Sequence, residues 1–359
     1  MKILQVCPKY YPSIGGVEYV VKSIAERLVR QGHEVIVFTG ESNIHEPHED
    51  NLNDVHIVRW PTWSPSNAYH IPKMRRKLES VLKRTFTDVD VIHIHNIHAV
   101  TAYYAWKAWK ESRREWAKLV ITPYYHGGGH TLLRKAFWFM WGFYVRKMLM
   151  DADVVHTVSK SEAQLVKKDF NVDAIPIENG VEEFVHDAKW QPKDYVLCAS
   201  RIERYKNIDK LARVVSLLNK EHGFRLKFLV IGSGPYKREL ERTLKNIGIE
   251  YQIMPFQPFE NYVELMSQAQ LFGLLSQKES YPQSVNEANA IGVPVIVARP
   301  WGENFAGRRR TLIVELTDVE IAQKIKDFLK TVPTESVSDI PTWSAVTEVY
   351  IDRLYNLKG

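Results

Sequence analysis

Two carboxylates, Glu279 and Glu287, stand in an E-x7-E spacing within the stretch Ser276–Val297, SQKESYPQSVNEANAIGVPVIV. A polar loop, Ser276–Gln283, follows the apolar run Leu271–Leu275, and a helix-like piece, Ser284–Ile291, leads through Gly292 to the buried-strand pattern Pro294–Val297. One carboxylate therefore falls in the loop and the other in the first turn of the helix. Carboxylates near a helix N-terminus can flank a ligand whose phosphates lie on the free N–H groups. A carboxylate also accepts two hydroxyl hydrogen bonds, which suits a ribose diol. A plainer reading competes: Ser284 as N-cap with Glu287 three residues on is a capping box. A pair of cations, Arg201 and Lys206, follows the strand pattern Tyr195–Ser200 in an R-x4-K spacing. Arginine forks onto two oxygens and lysine acts as a mobile point charge, so the pair suits a diphosphate. Surface charge is the default reading of such cations; convergent polar groups at strand ends favour a binding site.

These residues need elements to hold them. Lys2–Cys7 reads as a strand, Pro8–Gly16 as a loop, Val17–Gln31 as an amphipathic helix ended by Gly32, and Glu34–Thr39 as the next strand. This β-loop-α-β unit opens a doubly wound α/β domain. It lacks GxGxxG. Gly15-Gly16 instead allows close backbone approach to a ligand, or simply marks a tight turn. Strands follow at Val55–Trp60, Val89–His95, Leu119–Thr122 and Asp151–Ser159. His126, beside three glycines at the end of Leu119–Thr122, can donate to a sugar hydroxyl or a phosphate, or is a structural loop histidine. Asp88-Val89-Asp90 precedes its strand, which argues against metal ligation. After a polar linker, Glu182–Asp194, a second α/β series begins with Tyr195–Ser200 and the helix Asn207–Glu221. Leu226–Ile231 ends in Gly232-Ser233-Gly234-Pro235, where Lys237 at the sixth position breaks the dinucleotide fingerprint. Later helices are expected at Tyr236–Ile247, Asn261–Ala269, Asp318–Thr331 and Thr342–Leu357.

A chain of 359 residues fits two domains, and 45% hydrophobic with 25% charged residues is an ordinary soluble composition. The net charge of +6 points to anionic partners without choosing among them. Cys7 and Cys198 read as buried free thiols of a reducing compartment. The N-terminus has no signal-peptide pattern, and no apolar run reaches the ~20 residues of a membrane span, so a cytoplasmic location is expected. Ile71–Phe86 reads as a basic amphipathic helix, and Thr131–Met150 as an apolar-aromatic one; each suits a membrane surface or an ordinary domain face.

Glu279–Glu287, followed by Ala288, Gly292 and Pro294-Val295-Ile296, resembles the E-x7-E signature of retaining GT-B glycosyltransferases, specifically family 4 (group 1). Gly15-Gly16, the His126-Gly127 loop, Asp151–Ser159, Asn179-Gly180-Val181, R-x4-K, Gly232-Ser233-Gly234 and a closing helix with Trp343 match in order and at family-like spacing. The resemblance implies an α/β fold of two Rossmann-like doubly wound parallel-sheet domains facing a cleft. They would span 1–185 and 190–340, with 341–359 packing back on the first. It implies retaining transfer of a sugar from a UDP- or GDP-hexose to an acceptor hydroxyl, with no metal or other cofactor. Catalytic roles would fall to His126, Glu279, Arg201 and Lys206. The donor would lie on Gly15, Gly16, Arg201, Lys206, Gly232, Gly234, Phe256, Glu279, Ser280, Tyr281, Pro282, Gln283, Ser284 and Glu287. Gln257 stands where the family has glycine, beside the base, and leaves the base open. The acceptor would be a glycan or lipid-linked sugar, reached through contact of Lys73–Arg84 with the anionic inner face of the cell membrane, and no nucleic acid is involved. A catalytically silent sugar-nucleotide-binding protein of the same fold is the alternative. A Rossmann oxidoreductase is disfavoured by the failed fingerprints.

Overall fold

Strand Lys2–Cys7 (β1) alternates its side chains between two cores. Ile3 packs with Val20, Val21 and Ile24 of helix Gly16–Arg30 (α1), whereas Leu4 joins the cluster on the opposite face. A sheet covered on both faces is the setting for parallel strands. β1 pairs in parallel with Glu34–Glu41 (β2). The computed structural model describes residues 1–65, 69–112, 117–127, 132–315, 317–333 and 339–356, with backbone alone at 132–137 and 139.

His48–Leu52 (β3) and Val55–Trp63 (β4) follow, then Ile71–Pro72 (β5), helix Arg75–Thr85 (α2), Val91–His95 (β6), helix Val100–Ser112 (α3) and Lys118–Thr122 (β7). Helix Leu132–Asp151 (α4), Val154–Thr157 (β8), helix Lys160–Phe170 (α5) and Ile175–Pro176 (β9) complete the series. Among the described residues the sheet has nine strands in the order β3-β4-β2-β1-β6-β7-β8-β9, with β5 on β4. β3 and β5 pair antiparallel with β4; the other pairings are parallel.

Two departures from the expected elements have local causes. The helix expected from Ile71 begins at Arg75, because Pro72 lies in β5 and Met74 is left-handed (φ 49°). Its apolar residues Met74, Leu78, Val81 and Leu82 pack into the core, so only its basic face is turned outward. β3, sequence HEDNL, is a polar edge strand without apolar alternation, which hid it from pattern reading.

Contacts divide the chain into two units, Met1–Asn179 with Trp343–Gly359, and Gly180–Thr342. The second contains Lys193–Ala199 (β10), helix Ile208–His222 (α6), Lys227–Ile231 (β11), helix Lys237–Ile247 (α7), Tyr251–Met254 (β12) and helix Phe259–Ser267 (α8). Ala269–Leu274 (β13), helix Gln283–Ile291 (α9), Val295–Ala298 (β14), Thr311–Val314 (β15) and helix Asp318–Thr331 (α10) follow. Among the described residues its six strands are parallel, in the order β12-β11-β10-β13-β14-β15. The stretch Glu182–Asp194, expected as a linker, is stitched into this unit instead. Trp190 donates to Ala269 O (2.8 Å), Gln191 N–H to Ser267 O (2.9 Å) and Lys193 N–H to Gln268 O (2.7 Å).

The closing helix Trp343–Tyr350 (α11) continues as a wider turn, Ile351–Tyr355, on the α1 face of the first unit. Beneath it runs a chain of buried hydrogen bonds. Gln5 bonds His95 Nε2 (2.5 Å) and the Tyr355 hydroxyl (3.1 Å); His93 bonds Tyr355 OH and Thr122 Oγ1 (both 2.7 Å); His156 bonds Thr122 Oγ1 (2.8 Å) and Ile177 O (3.1 Å). One assignment of protons satisfies this chain. Ile177 O accepts from His156 Nε2–H, His156 Nδ1 from Thr122, Thr122 from His93 Nε2–H, His93 Nδ1 from Tyr355, Tyr355 from Gln5, and Gln5 Oε1 from His95 Nε2–H. His93 and His156, each donating from one ring nitrogen and accepting at the other, must then be neutral, and a proton on His95 Nδ1, which is buried without a hydrogen-bond partner, would have no acceptor. Burial drives His93 well below its usual value, His95 to about 3 and His156 to about 4.

Their folded values lie below the ordinary 6.5, so the stability they contribute is present above pH 6.5 and lost as pH falls toward the folded values. Glu162, raised to about 8 by burial, works the other way and offsets one proton, while His70, lowered to about 4 by burial in the same unit, adds a fourth on the histidine side. We predict that the first unit's melting temperature falls between pH 6.5 and about pH 5, and that His156→Gln removes about a third of that fall. Unfolding that is independent of pH across this window contradicts the assignment.

Candidate active site

In the second unit the strand order reverses between β10 and β13, which lie side by side. Ligands of open α/β sheets bind at such a switch point, beyond the carboxyl ends of the strands. The loop after β10 carries Arg201 and Lys206, and the loop after β13 carries Glu279. Lys206 Nζ lies 2.5 Å from Glu279 Oε1, with both side chains nearly buried (10% and 13% exposed). The cation and the first carboxylate therefore meet across 73 residues of chain. Burial alone lowers an ammonium; the Glu279 charge, helped by Tyr205, reverses this and holds Lys206 above its usual value. Arg201 is more exposed, paired with Glu203 (2.9 Å) and bonded to the Tyr205 hydroxyl (3.2 Å).

Neighbouring segments fix the two loops. Asn207 Nδ2 donates to Leu275 O (2.9 Å) and Gln277 N–H to Tyr205 O (2.9 Å). Gly232 and Gly234 bring their turn against the Arg201 loop: a Cβ at Gly232 would meet Ser200 O at 1.9 Å, and one at Gly234 would meet Ile202 O at 2.2 Å. Trp301 donates to Ser276 O (2.7 Å), Asn304 reaches Ser280 O (3.5 Å), and the Tyr281 ring stacks on Phe305 at 5.0 Å. Sequence reading did not single out this buttress, whose signal was two large aromatics, Trp301 and Phe305, inside a loop sequence. Gln283 donates to Gly180 O (2.6 Å), and Phe256 is 38% exposed.

The competing reading, a capping box from Ser284 to Glu287, does not hold. α9 begins at Gln283 with Pro282 at its N-cap and no side-chain cap, so Ser284 already lies inside the first turn. Glu287 turns instead toward α8 and accepts from the Tyr262 hydroxyl (2.7 Å). It is 4% exposed, and burial raises its pKa to about 8 against the opposing effect of that hydroxyl. Tyr262 went unnoticed in the sequence because it reads there as one more residue of an amphipathic helix.

Gly15, Gly16 and His126 belong to the first unit. Gly15 is extended (φ −179°) and a Cβ at Gly16 would meet open space, so backbone conformation demands neither glycine. His126 is half-buried; its Nδ1 lies 3.3 Å from Tyr124 O, which assigns the proton to that nitrogen. Tyr124 is left-handed (φ 51°), and the next amide, Tyr125 N–H, donates to Glu162 Oε1 (2.6 Å). Glu162 Oε2 takes Val158 N–H (3.1 Å). This buried carboxylate thus ties the His126 loop to the loop after β8. Its trace in the sequence is the capping-box pattern Ser159-x-x-Glu162: Ser159 does cap α5, but the carboxylate leaves the box for the neighbouring loop. Among the described residues no group of three or more His, Cys, Asp or Glu is arranged to hold a metal. Asp88 and Asp90 are both engaged by Lys2 (3.0 and 2.7 Å).

Residues 14–183 match the family described as Glycosyltransferase Family 4, and residues 182–331 match Glycosyl transferases group 1. The chain is a family 4 (group 1) glycosyltransferase. It is similar to N-acetyl-alpha-D-glucosaminyl L-malate synthase of Bacillus anthracis, 27% identical over 81% of this chain and 78% of that protein. It is also similar to the GDP-mannose:cellobiosyl-diphosphopolyprenol alpha-mannosyltransferase of Komagataeibacter xylinus, 25% identical over 82% and 75% of the two chains. Among solved structures, sucrose-phosphate synthase from Thermosynechococcus elongatus superposes with a TM-score of 0.74 at 18% identity, covering 99% and 98% of the two chains. The fold of this glycosyltransferase is GT-B, and its two parallel-sheet units are the Rossmann-like halves of that fold.

Proposed function

We propose that this glycosyltransferase moves a hexosyl group from a UDP- or GDP-hexose to an acceptor hydroxyl with retention, using no metal. The observation that carries the reading is the meeting of Lys206 and Glu279 at the β10/β13 switch point. As the bond from the anomeric carbon to the diphosphate oxygen breaks, positive charge builds on the sugar and negative charge on the leaving group. Arg201 and Lys206 stabilise the latter. Lys206 then exchanges one anionic partner for another, and Glu279, released, accepts hydrogen bonds from the sugar's hydroxyls. Front-face attack lets the leaving phosphate take the acceptor's proton. The products are the glycoside and the nucleoside diphosphate, with no side-chain nucleophile. Glu287 takes the ribose hydroxyls.

The acceptor in this reading is lipid-linked or part of a cell-envelope glycan, met at the cytoplasmic face of the membrane. Support comes from the outward basic face of α2, which presents Arg75, Arg76 and Lys77, with exposed Lys73 just before the helix, and from Met140, Phe143 and Met150 standing exposed on α4 (57–65%). Among the described residues no helix is long and apolar enough to cross a membrane. One relative's name specifies a diphosphopolyprenol acceptor.

A panel of UDP- and GDP-sugars in a thermal-shift assay tests the donor. Saturation at about 100 times Kd stabilises by roughly 2.7 kcal/mol. The matching donor should raise the melting temperature, and Arg201→Ala or Lys206→Ala should remove most of that shift. An undiminished shift in both variants refutes the diphosphate role, and binding without any transfer or donor hydrolysis favours the silent alternative. For the membrane, the wild-type protein should co-sediment with anionic liposomes and the triple alanine variant at Arg75, Arg76 and Lys77 should not. Equal pelleting of the two counts against the surface contact.

A further inference from the structure

Tyr262 lies outside both the E-x7-E and the R-x4-K patterns, yet it bonds the second carboxylate of the first pattern. Tyr262 sits on α8, its hydroxyl 2.7 Å from Glu287 Oε2, both groups buried. The tyrosine cannot swing freely. Its ring stacks on Phe259 at 5.8 Å (25° between planes), and Phe259 meets the edge of Phe184 at 5.4 Å (82°). A ring held on one side aims its hydroxyl in one direction. Glu287 is therefore a carboxylate with one oxygen already committed to a rigid donor.

We propose that Tyr262 is a positioning residue for donor recognition: by occupying Oε2 it fixes the Glu287 carboxylate plane and presents Oε1 to the ribose hydroxyls of a nucleoside diphosphate. This rests on the assignment of the ribose to Glu287. Two effects follow. An oriented carboxylate loses less freedom on binding, so the hydroxyl acts on affinity and not on the bond-breaking step. Its donated hydrogen bond also favours the charged carboxylate, the form that accepts from sugar hydroxyls. The titratable groups facing Glu287 are Tyr262 on α8, which favours its charged form, and Glu182 on the segment before Glu183–Val185, which disfavours it. With burial raising Glu287 to about 8, nucleoside diphosphate affinity rises with pH toward that value as the carboxylate ionises.

The test is calorimetric titration of the full chain with UDP and GDP and with their 2′- and 3′-deoxy forms, between about pH 7 and 9, where the phosphates themselves no longer titrate. Wild type, Tyr262→Phe and Glu287→Gln are compared, alongside kcat and KM for the donor. Tyr262→Phe should bind about tenfold more weakly, raise the donor KM by a similar factor at nearly constant kcat, lose part of the preference for the ribonucleotide, and shift its affinity rise to higher pH. Glu287→Gln should weaken binding at least as much and flatten the pH profile. If Glu287→Gln loses affinity and ribose preference while Tyr262→Phe matches wild type in affinity and pH profile, the positioning role is overturned and the ribose assignment stands. If Glu287→Gln binds UDP, GDP and the deoxy forms as wild type does, the ribose assignment falls and the positioning role with it.

Discussion

The buried ion pair between Lys206 and Glu279 is the constraint on which the chemistry proposed for the second unit depends. Taking two charges out of water costs several kcal/mol per ion, and their mutual attraction restores this only when the geometry is good. Such a pair is a poor device for stability. It is a good device for holding a cation and an acid ready, each compensated until a ligand arrives. The loops that carry them are pinned by Asn207, Gln277 and Trp301, so the pair sits on a prepared frame. In the proposed reading, a diphosphate entering there would find its counter-charge already desolvated, which is the condition for strong electrostatic stabilisation of a leaving group.

The first unit solves a different problem with similar means. Its sheet buries polar side chains in a row beneath the closing helix, and they are tolerated because every proton in the chain from His95 to Ile177 has an acceptor. Tyr355 is a link in that chain, so the closing segment is joined to the sheet by hydrogen bonds of fixed direction as well as by apolar contact. Glu162 performs a comparable task one loop away, where its carboxylate holds the backbone leading to His126.

Many of the parallel strands were legible because each is a short apolar run that leads through a turn signal into a helix, as with Lys2–Cys7 and Gly16–Arg30. The polar edge strand His48–Leu52 was not, since its pairing is set by β4 and not by any periodicity of its own. The E-x7-E and R-x4-K patterns fall on the loops after β13 and β10, on either side of the switch point. What they could not convey is that Lys206 and Glu279 face each other, or that Glu287 looks toward α8. Contacts between residues distant in sequence leave no spacing to read. The buttress at Trp301 and Phe305, the Tyr262 hydroxyl and the Glu162 carboxylate all belong to that class. Ser284 shows the opposite failure: a local pattern was present, and Pro282 moved the helix start past it.

A crystal structure of the chain with its nucleoside diphosphate bound would test the central claim most directly. The account predicts diphosphate oxygens within hydrogen-bond distance of Lys206 Nζ and the Arg201 guanidinium, with Glu279 drawn away from exclusive contact with the lysine. A diphosphate bound elsewhere, with Lys206 still closed on Glu279 and Arg201 turned to solvent, would contradict it.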